Sequence, residues 1–183
     1  AEFVWVLDPI DGTRAFITGL PVWGTLIGLT RNGKPVLGMM AQPFTGERFA
    51  GDGRQAWHTG RDGARQPLKT RPCARLADAS LFTTTPEICK DGDRTAYDRV
   101  EAAVRLPRYG VDCYGYCMVA AGHADIVVEA GLQPYDIAAL IPIIEGAGGR
   151  VTNWQGGSAA GGGQVLATGD RRVHDQALAK LAG

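Results

Sequence analysis

The sequence predicts a layered α/β protein, with an antiparallel sheet over residues 1–72 followed by an α/β half over residues 73–183. Three observations carry this reading. β-favouring runs in the first part are joined by tight-turn signals, with no stretch that reads as a crossover helix between strands. Beyond Arg71-Pro72 the composition shifts, and apolar strands alternate with helical stretches. A chain of 183 residues with 45% hydrophobic and 21% charged content is long enough for one full core, so both halves are read as one domain.

Taken in order, residues 3–7 form an apolar strand that ends at Asp8-Pro9, where Pro9 fixes φ and turns the chain. Residues 13–19 read as a short helical turn stopped by Gly19, with Pro21 beyond it. Residues 22–30 are a buried strand, and Asn32-Gly33 is a hairpin signal leading into a return strand at 35–41. Pro43-Phe44-Thr45-Gly46 makes the next turn, and a further strand begins at Glu47. The glycine-punctuated section around Trp57 and His58 reads as a short hairpin.

In the second half, 80–85 is a strand and 94–105 an amphipathic helix turning Tyr97, Val100, Ala103 and Val104 inward. A short strand at 106–111 precedes a small-residue-rich helix at 114–122. A buried strand at 125–129 ends in a loop, Ala130-Gly131-Leu132-Gln133-Pro134. Residues 136–147 form the most apolar helix, closed by Gly148-Gly149. Strands start at Val151 and span 164–168, and Asp170 caps a closing helix at 171–181. The loop glycines at 156–157 and 161–163 lack a following Lys-Ser/Thr pair, so they are not a nucleotide P-loop.

The balance of 19 basic and 19 acidic residues, without a basic stripe, argues against nucleic acid as a partner. No apolar run approaches a membrane span and no signal peptide opens the chain, so no membrane partner is expected. Cys73, Cys89, Cys113 and Cys117 fall at irregular spacings and read as free buried thiols in a cytoplasmic protein. His58, His123 and His174 are read as surface or packing residues.

The chemistry concentrates in Trp5-Val6-Leu7-Asp8-Pro9-Ile10-Asp11-Gly12-Thr13. Carboxylates three apart at a strand end can converge on one hard cation, with the Ile10 carbonyl as a further oxygen. Mg²⁺ suits such a set because it takes one or two carboxylates and leaves positions for water and phosphate. Gly12 permits close backbone approach, and the amides at Thr13 can receive a phosphate. Asp-Pro and Asp-Gly are also ordinary turn dipeptides. A second acid, Asp136, stands in the first turn of the apolar helix, where it can cap the helix, face a metal, or do both. Glu129 at a strand end and Asp112 at a strand–helix join are ambiguous alone.

The first motif, together with Tyr135-Asp136-Ile137-Ala138-Ala139 and Glu145-Gly146-Ala147-Gly148-Gly149, resembles the inositol monophosphatase superfamily along essentially the whole chain. Arg14-Ala15-Phe16-Ile17-Thr18-Gly19-Leu20-Pro21-Val22-Trp23-Gly24-Thr25, Gln42-Pro43-Phe44-Thr45-Gly46-Glu47-Arg48-Phe49 and Tyr109-Gly110-Val111-Asp112-Cys113-Tyr114-Gly115-Tyr116 resemble its histidinol-phosphate phosphatase branch.

The resemblance implies the family's sugar-phosphatase fold and hydrolysis of a small phosphate monoester by metal-activated water. It implies two or three Mg²⁺ ions, with Mn²⁺ as a substitute. Asp8, Ile10 (through its carbonyl), Asp11 and Asp136 would hold metal. Asp8, Asp11 and Thr13 would be catalytic, with the Thr13 hydroxyl orienting the water. Gly12 and Thr13 would give amides to the phosphate, and Asp112, Glu129 and Asp136 would line the substrate. Acidic partners suit histidinol phosphate, which carries an amine and an imidazole. Inositol phosphate or another sugar or nucleotide monophosphate remains open, as does a catalytically silent fragment. The family also takes a metal-binding Glu and a water-assisting acid from a segment before the Asp-Asp motif. The chain is therefore expected to be a C-terminal portion of a longer enzyme. Without the family's N-terminal helices, apolar residues of its first sheet would be left exposed or covered by a partner. Related enzymes are often dimers, so a homodimer is compatible.

Overall fold

The computed structural model describes residues 1–183 as two sheets and two helical layers. The first sheet is a six-stranded antiparallel meander in chain order: β1 (Phe3–Asp11), β2 (Gly24–Arg31), β3 (Lys34–Gln42), β4 (Glu47–Gly51), β5 (Ala56–Thr59) and β6 (Arg65–Pro67). A short helix, α1 (Thr13–Ile17), joins β1 to β2. The second half contributes β7 (Ser80–Thr83), α2 (Asp91–Glu101), β8 (Leu106–Tyr109), α3 (Asp112–Ala120) and β9 (Ile126–Leu132). It continues with α4 (Pro134–Ile137), α5 (Leu140–Gly146), β10 (Arg150–Thr152), β11 (Gly163–Thr168) and α6 (Arg171–Ala182). Its sheet runs β10-β11-β9-β7-β8; β7 is parallel to both neighbours, and the other pairs are antiparallel.

Two cores hold the layers. Leu26, Met40, Phe49 and Ala56 of the first sheet pack on α3 and α5 and, through them, on Val127, Val165 and Ala167 of the second sheet. The opposite face of the second sheet (Leu81, Ile126, Val128, Leu166) packs on Tyr97 and Val100 of α2 and on Val173, Ala177 and Leu181 of α6. Each large apolar side chain so buried contributes about 1.5–3 kcal/mol. His174 lies inside the fold between the hydroxyls of Thr152 and Thr168, each 2.9 Å from a ring nitrogen. His58 pairs with Glu47 at 3.1 Å. All four cysteines are buried free thiols. No helix is long and apolar enough to cross a membrane.

Side chains alternate along β1, so Phe3, Trp5 and Leu7 share its outer face, where they are 51%, 61% and 59% exposed. The inner face is different. Gly28, Gly38 and Gly51 open a groove into which the backbone of residues 138–143 presses; a Cβ at Gly38 would stand 1.8 Å from the Ala139 carbonyl oxygen. That close approach seats α4, and with it Asp136, against β1 and β2.

Three local expectations are corrected. The strand read as ending at Leu7 continues to Asp11 through a bulge. The loop expected at residues 130–134 is strand as far as Leu132, because Leu132 pairs with Gly163. The single helix expected at 136–147 is two short ones, α4 and α5. Pro142 cannot donate the hydrogen bond that the Ala138 carbonyl would accept, and the helical ladder breaks there. In addition, α2 starts at Asp91 and ends at Glu101, so Ala103 and Val104 lie beyond it.

Candidate active site

In a regular strand Asp8 and Asp11 would point to opposite faces. The register shows why they do not: Asp8 pairs with Leu26 and Asp11 with Gly24, so three steps on β1 match two on β2. The extra residue turns both acids to the inner face. Local bonds hold the bulge. The Ile10 N–H donates to Asp8 Oδ1 at 3.1 Å, and the Thr25 hydroxyl donates to the Pro9 carbonyl at 2.8 Å. Gly12 follows at φ 80°, wedged so closely against Trp23 and Asp112 that a Cβ would meet their atoms at 3.1–3.3 Å.

Asp136 arrives from the other end of the chain. Both accounts of it hold geometrically. Its Oδ2 accepts the Gln133 N–H at 2.7 Å, completing a capping box at the start of α4. Its carboxylate also joins those of Asp8 and Asp11, each offering one oxygen within 4.8 Å of the others. Three half-buried carboxylates this close repel one another. Burial, then the neighbouring charge of Asp8, raises the Asp136 carboxyl above its ordinary range. Asp11 is pushed up to about 7, chiefly by burial, against the lowering effect of the Cys113 amide, which donates to its Oδ2 at 2.8 Å. A divalent cation would relieve that repulsion, and oxygen donors of this kind suit a hard ion. The donor set therefore fits a metal.

Beside the acids lies a cavity of about 420 Å³. Asp11, Gly12, Thr13, Asp112, Glu129 and Asp136 all line it. Asp8 and Ile10 do not. The Ile10 carbonyl accepts only a long 3.4 Å contact from the Thr13 hydroxyl. Asp112 begins α3 in the left-handed region (φ 40°), and its Oδ1 accepts from the Thr84 hydroxyl at 3.0 Å. Glu129, expected at a strand end, lies interior to β9 and is 1% exposed. Its Oε1 accepts from Thr84 N–H at 2.6 Å and Thr84 hydroxyl at 3.1 Å. Burial pushes its carboxyl up to about 8, with the charges of Asp112 and Asp11 adding to the shift. The cavity thus gathers four acids and one guanidinium, that of Arg14. Such a wall favours cations.

Sequence reasoning missed Thr84 and Tyr116. Thr84 sits at the end of an expected strand, a usual place for functional side chains. Tyr116 lies four residues after Asp112, the spacing that puts two side chains on one helical face.

Similar proteins share this arrangement of chain. A bifunctional phosphatase of Arabidopsis thaliana, IMPL2 (chloroplastic), is 47% identical over 191 residues, covering 99% of this chain and 54% of its own. The chain thus spans about half the length of that relative. A histidinol-phosphatase of Mycobacterium tuberculosis is 38% identical over 97% of this chain and 68% of its own. Among solved structures, an inositol monophosphatase from Zymomonas mobilis superposes with a TM-score of 0.94 at 41% identity, over 100% of this chain and 72% of its own. The sequence profile of the inositol monophosphatase family matches residues 1–183 throughout, and the chain belongs to that family.

Proposed function

We propose that the protein carrying this chain is a Mg²⁺-dependent phosphate monoester hydrolase whose substrate is histidinol phosphate. The observation that carries the reading is the meeting of Asp8, Asp11 and Asp136 at the edge of a cavity with two further acids, Asp112 and Glu129. Asp8, Asp11 and Asp136 hold the metal, joined by the Ile10 carbonyl. Mg²⁺ bound there supplies Lewis acidity, lowering the pKa of water and neutralising phosphate charge. The Thr13 hydroxyl orients the attacking water, and the amides of Gly12 and Thr13, unpaired at a helix start, receive phosphate oxygens. Phosphoryl transfer asks mainly for such positioning and electrostatics. Asp112 and Glu129 face the amine-bearing part of the substrate. The similarity to a histidinol-phosphatase supports the substrate, and the four free thiols fit a reducing compartment such as the cytoplasm.

Inositol 1-phosphate is the second reading, favoured by the likeness to the Zymomonas mobilis enzyme. The test is direct. The whole encoded protein is assayed on histidinol phosphate, inositol 1-phosphate and a nucleoside monophosphate, with Mg²⁺ and with chelator. Chelator-sensitive turnover greatest on histidinol phosphate is expected. Turnover unaffected by chelator, or absent on every monoester, removes the hydrolase reading; a preference for inositol 1-phosphate removes only the substrate.

A further inference from the structure

Helix α3 separates two cavities. Asp112, Cys113 and Tyr116 share one face of it and line the acid-lined cavity. Tyr114, Met118 and, just past the last turn, Ala121 share the opposite face and line another, of about 440 Å³. Small-molecule sites span about 300–1,000 Å³, and this volume falls among them. The facing wall comes from Glu47, Phe49 and His58 of β4 and β5, with Leu68 and Lys69 after β6. Three of these side chains form a fixed polar trio. Glu47 Oε2 accepts from the Tyr114 hydroxyl at 2.8 Å, and Glu47 Oε1 lies 3.1 Å from His58 Nε2. Phe49 packs on both rings, with its centroid 4.8 Å from that of His58 and, edge to face, 6.0 Å from that of Tyr114. Burial raises the Glu47 carboxyl, but hydrogen bonds with Thr45, Tyr114 and His58 together hold it below its ordinary range. Glu47 is therefore ionised and supplied with donors from within the fold. Because a carboxylate only accepts, His58 Nε2 carries the proton of its contact, and Nδ1 is left without a protein partner.

The charge of this cavity is opposite in kind to that of the first. Glu47 is its only acid, whereas Lys69, His58 and His123 bring basic groups to it. Lys69 and His123 are both exposed. Their backbones are pressed together: a Cβ at Gly122 would stand 2.9 Å from the Lys69 carbonyl oxygen. Phe49 is buried, and Tyr114, Leu68 and Met118 are partly so, which sets the basic groups toward solvent and apolar surface within. An occupant complementary to such walls has an apolar body and a negative end. We propose that the cavity between α3 and strands β4 and β5 is a second ligand site, for a small carboxylate with a flat apolar body. The body lies against Tyr114, Leu68 and Met118, and the carboxylate meets Lys69 and His123. The proposal goes beyond the hydrolase reading and does not depend on it.

The test uses the whole encoded protein with ¹³C-labelled methionine methyl groups, followed by NMR. Met118 lines the cavity, whereas Met40 lies in the core and Met39 on the outer face of the first sheet. Met118→Leu identifies the Met118 signal by removing it. Chelator is present throughout, so that no metal can hold a carboxylate in the acid-lined cavity. Phenylacetate should shift the Met118 signal saturably, with half-saturation near about 1 mM, the scale for a ligand of this size. Benzylamine, which keeps the ring and reverses the charge, should leave that signal in place. Lys69→Ala combined with His123→Ala should weaken phenylacetate at least about fivefold, the upper worth of an exposed charge pair. No saturable Met118 shift at about ten times the expected half-saturation overturns the site. An equal response to benzylamine, or unchanged affinity in the double variant, overturns its preference for a carboxylate. If thermal melts show that the double variant does not fold, Lys69→Glu, which reverses one exposed charge, carries the same expectation.

Discussion

The Cys113 amide donates a 2.8 Å hydrogen bond to Oδ2 of Asp11, tying α3 to the bulged strand across 102 residues of sequence. The bond fixes one oxygen of Asp11 and leaves the other for the cluster with Asp8 and Asp136. An asparagine at position 11 can still accept from Cys113, so Asp11→Asn removes charge without removing the anchor. We expect Asp8→Asn, Asp11→Asn and Asp136→Asn each to fold and to lose at least about a hundredfold in Mg²⁺ or Mn²⁺ affinity, the upper range for mere outer-shell partners. Turnover should fall by orders of magnitude in each. Calorimetric titration with melting curves checks this, and native affinity in any one variant takes that residue out of the metal site.

The same acids set a pH dependence. Asp11 and Glu129 are raised to about 7 and about 8, mainly by burial. A group with a folded pKa above its unfolded value stabilises the fold fully below the unfolded pKa. That contribution is lost as pH rises through the folded one. Metal-free protein should therefore lose stability between about pH 4 and pH 8, by a few kcal/mol, and Glu129→Gln should flatten the loss. Protons also compete with a cation for Asp11, so Mg²⁺ affinity should rise with pH up to about 7. Urea midpoints at several pH values, with chelator and with Mg²⁺, test both. A metal-free midpoint that climbs from pH 5.5 to pH 8.5 would contradict this picture.

Much of this architecture is legible in local signals. Asn32-Gly33 and the short spacings around it announce the meander, and Asp8, Asp11 and Asp136 stand out by type and context. The bulge does not, because it is set by the register of β2 opposite Asp8 and Asp11. The burial of Glu129 is hidden for a similar reason: Thr84, 45 residues away, reaches it only because β7 lies beside β9. The break between α4 and α5 was readable at Pro142, but the apolar run around it masked the signal.

Gly38 governs whether Asp136 can reach its partners. With a Cβ there only 1.8 Å from the Ala139 carbonyl oxygen, the segment joining α4 to α5 must move outward. Gly38→Ala should cost about 3 kcal/mol, as overpacking of a tight core does. It should also weaken Mg²⁺ binding, although residue 38 touches no acid of the cluster. Gly92, in the first turn of α2 with open space around it, is the control. Gly92→Ala should be neutral or stabilising by about 0.5 kcal/mol. Equal melting temperatures for the two variants would show that the groove does not set the position of α4.

Asp125 tests how charge is held away from the cavity. It is 2% exposed, and its carboxylate accepts from Arg71 Nε at 2.7 Å, from Arg71 Nη2 at 2.5 Å and from Ser80 N–H at 2.7 Å. It thus pins the chain entering the second half to the start of β7, the strand that delivers Thr84. Removing one partner of a buried ion pair costs 3–5 kcal/mol in general, about 3 here because the Arg71 side chain is 36% exposed and can turn to water. For a chain of this size that is a fall in melting temperature of about 6–12 °C in Asp125→Ala. Arg75 and Asp78 make an equally short pair at 2.7 Å, but both side chains are exposed, at 72% and 48%. Solvent screens that pair, so Asp78→Ala should move the melt little. Similar losses at the two positions would mean that burial does not decide the worth of ion pairs in this fold.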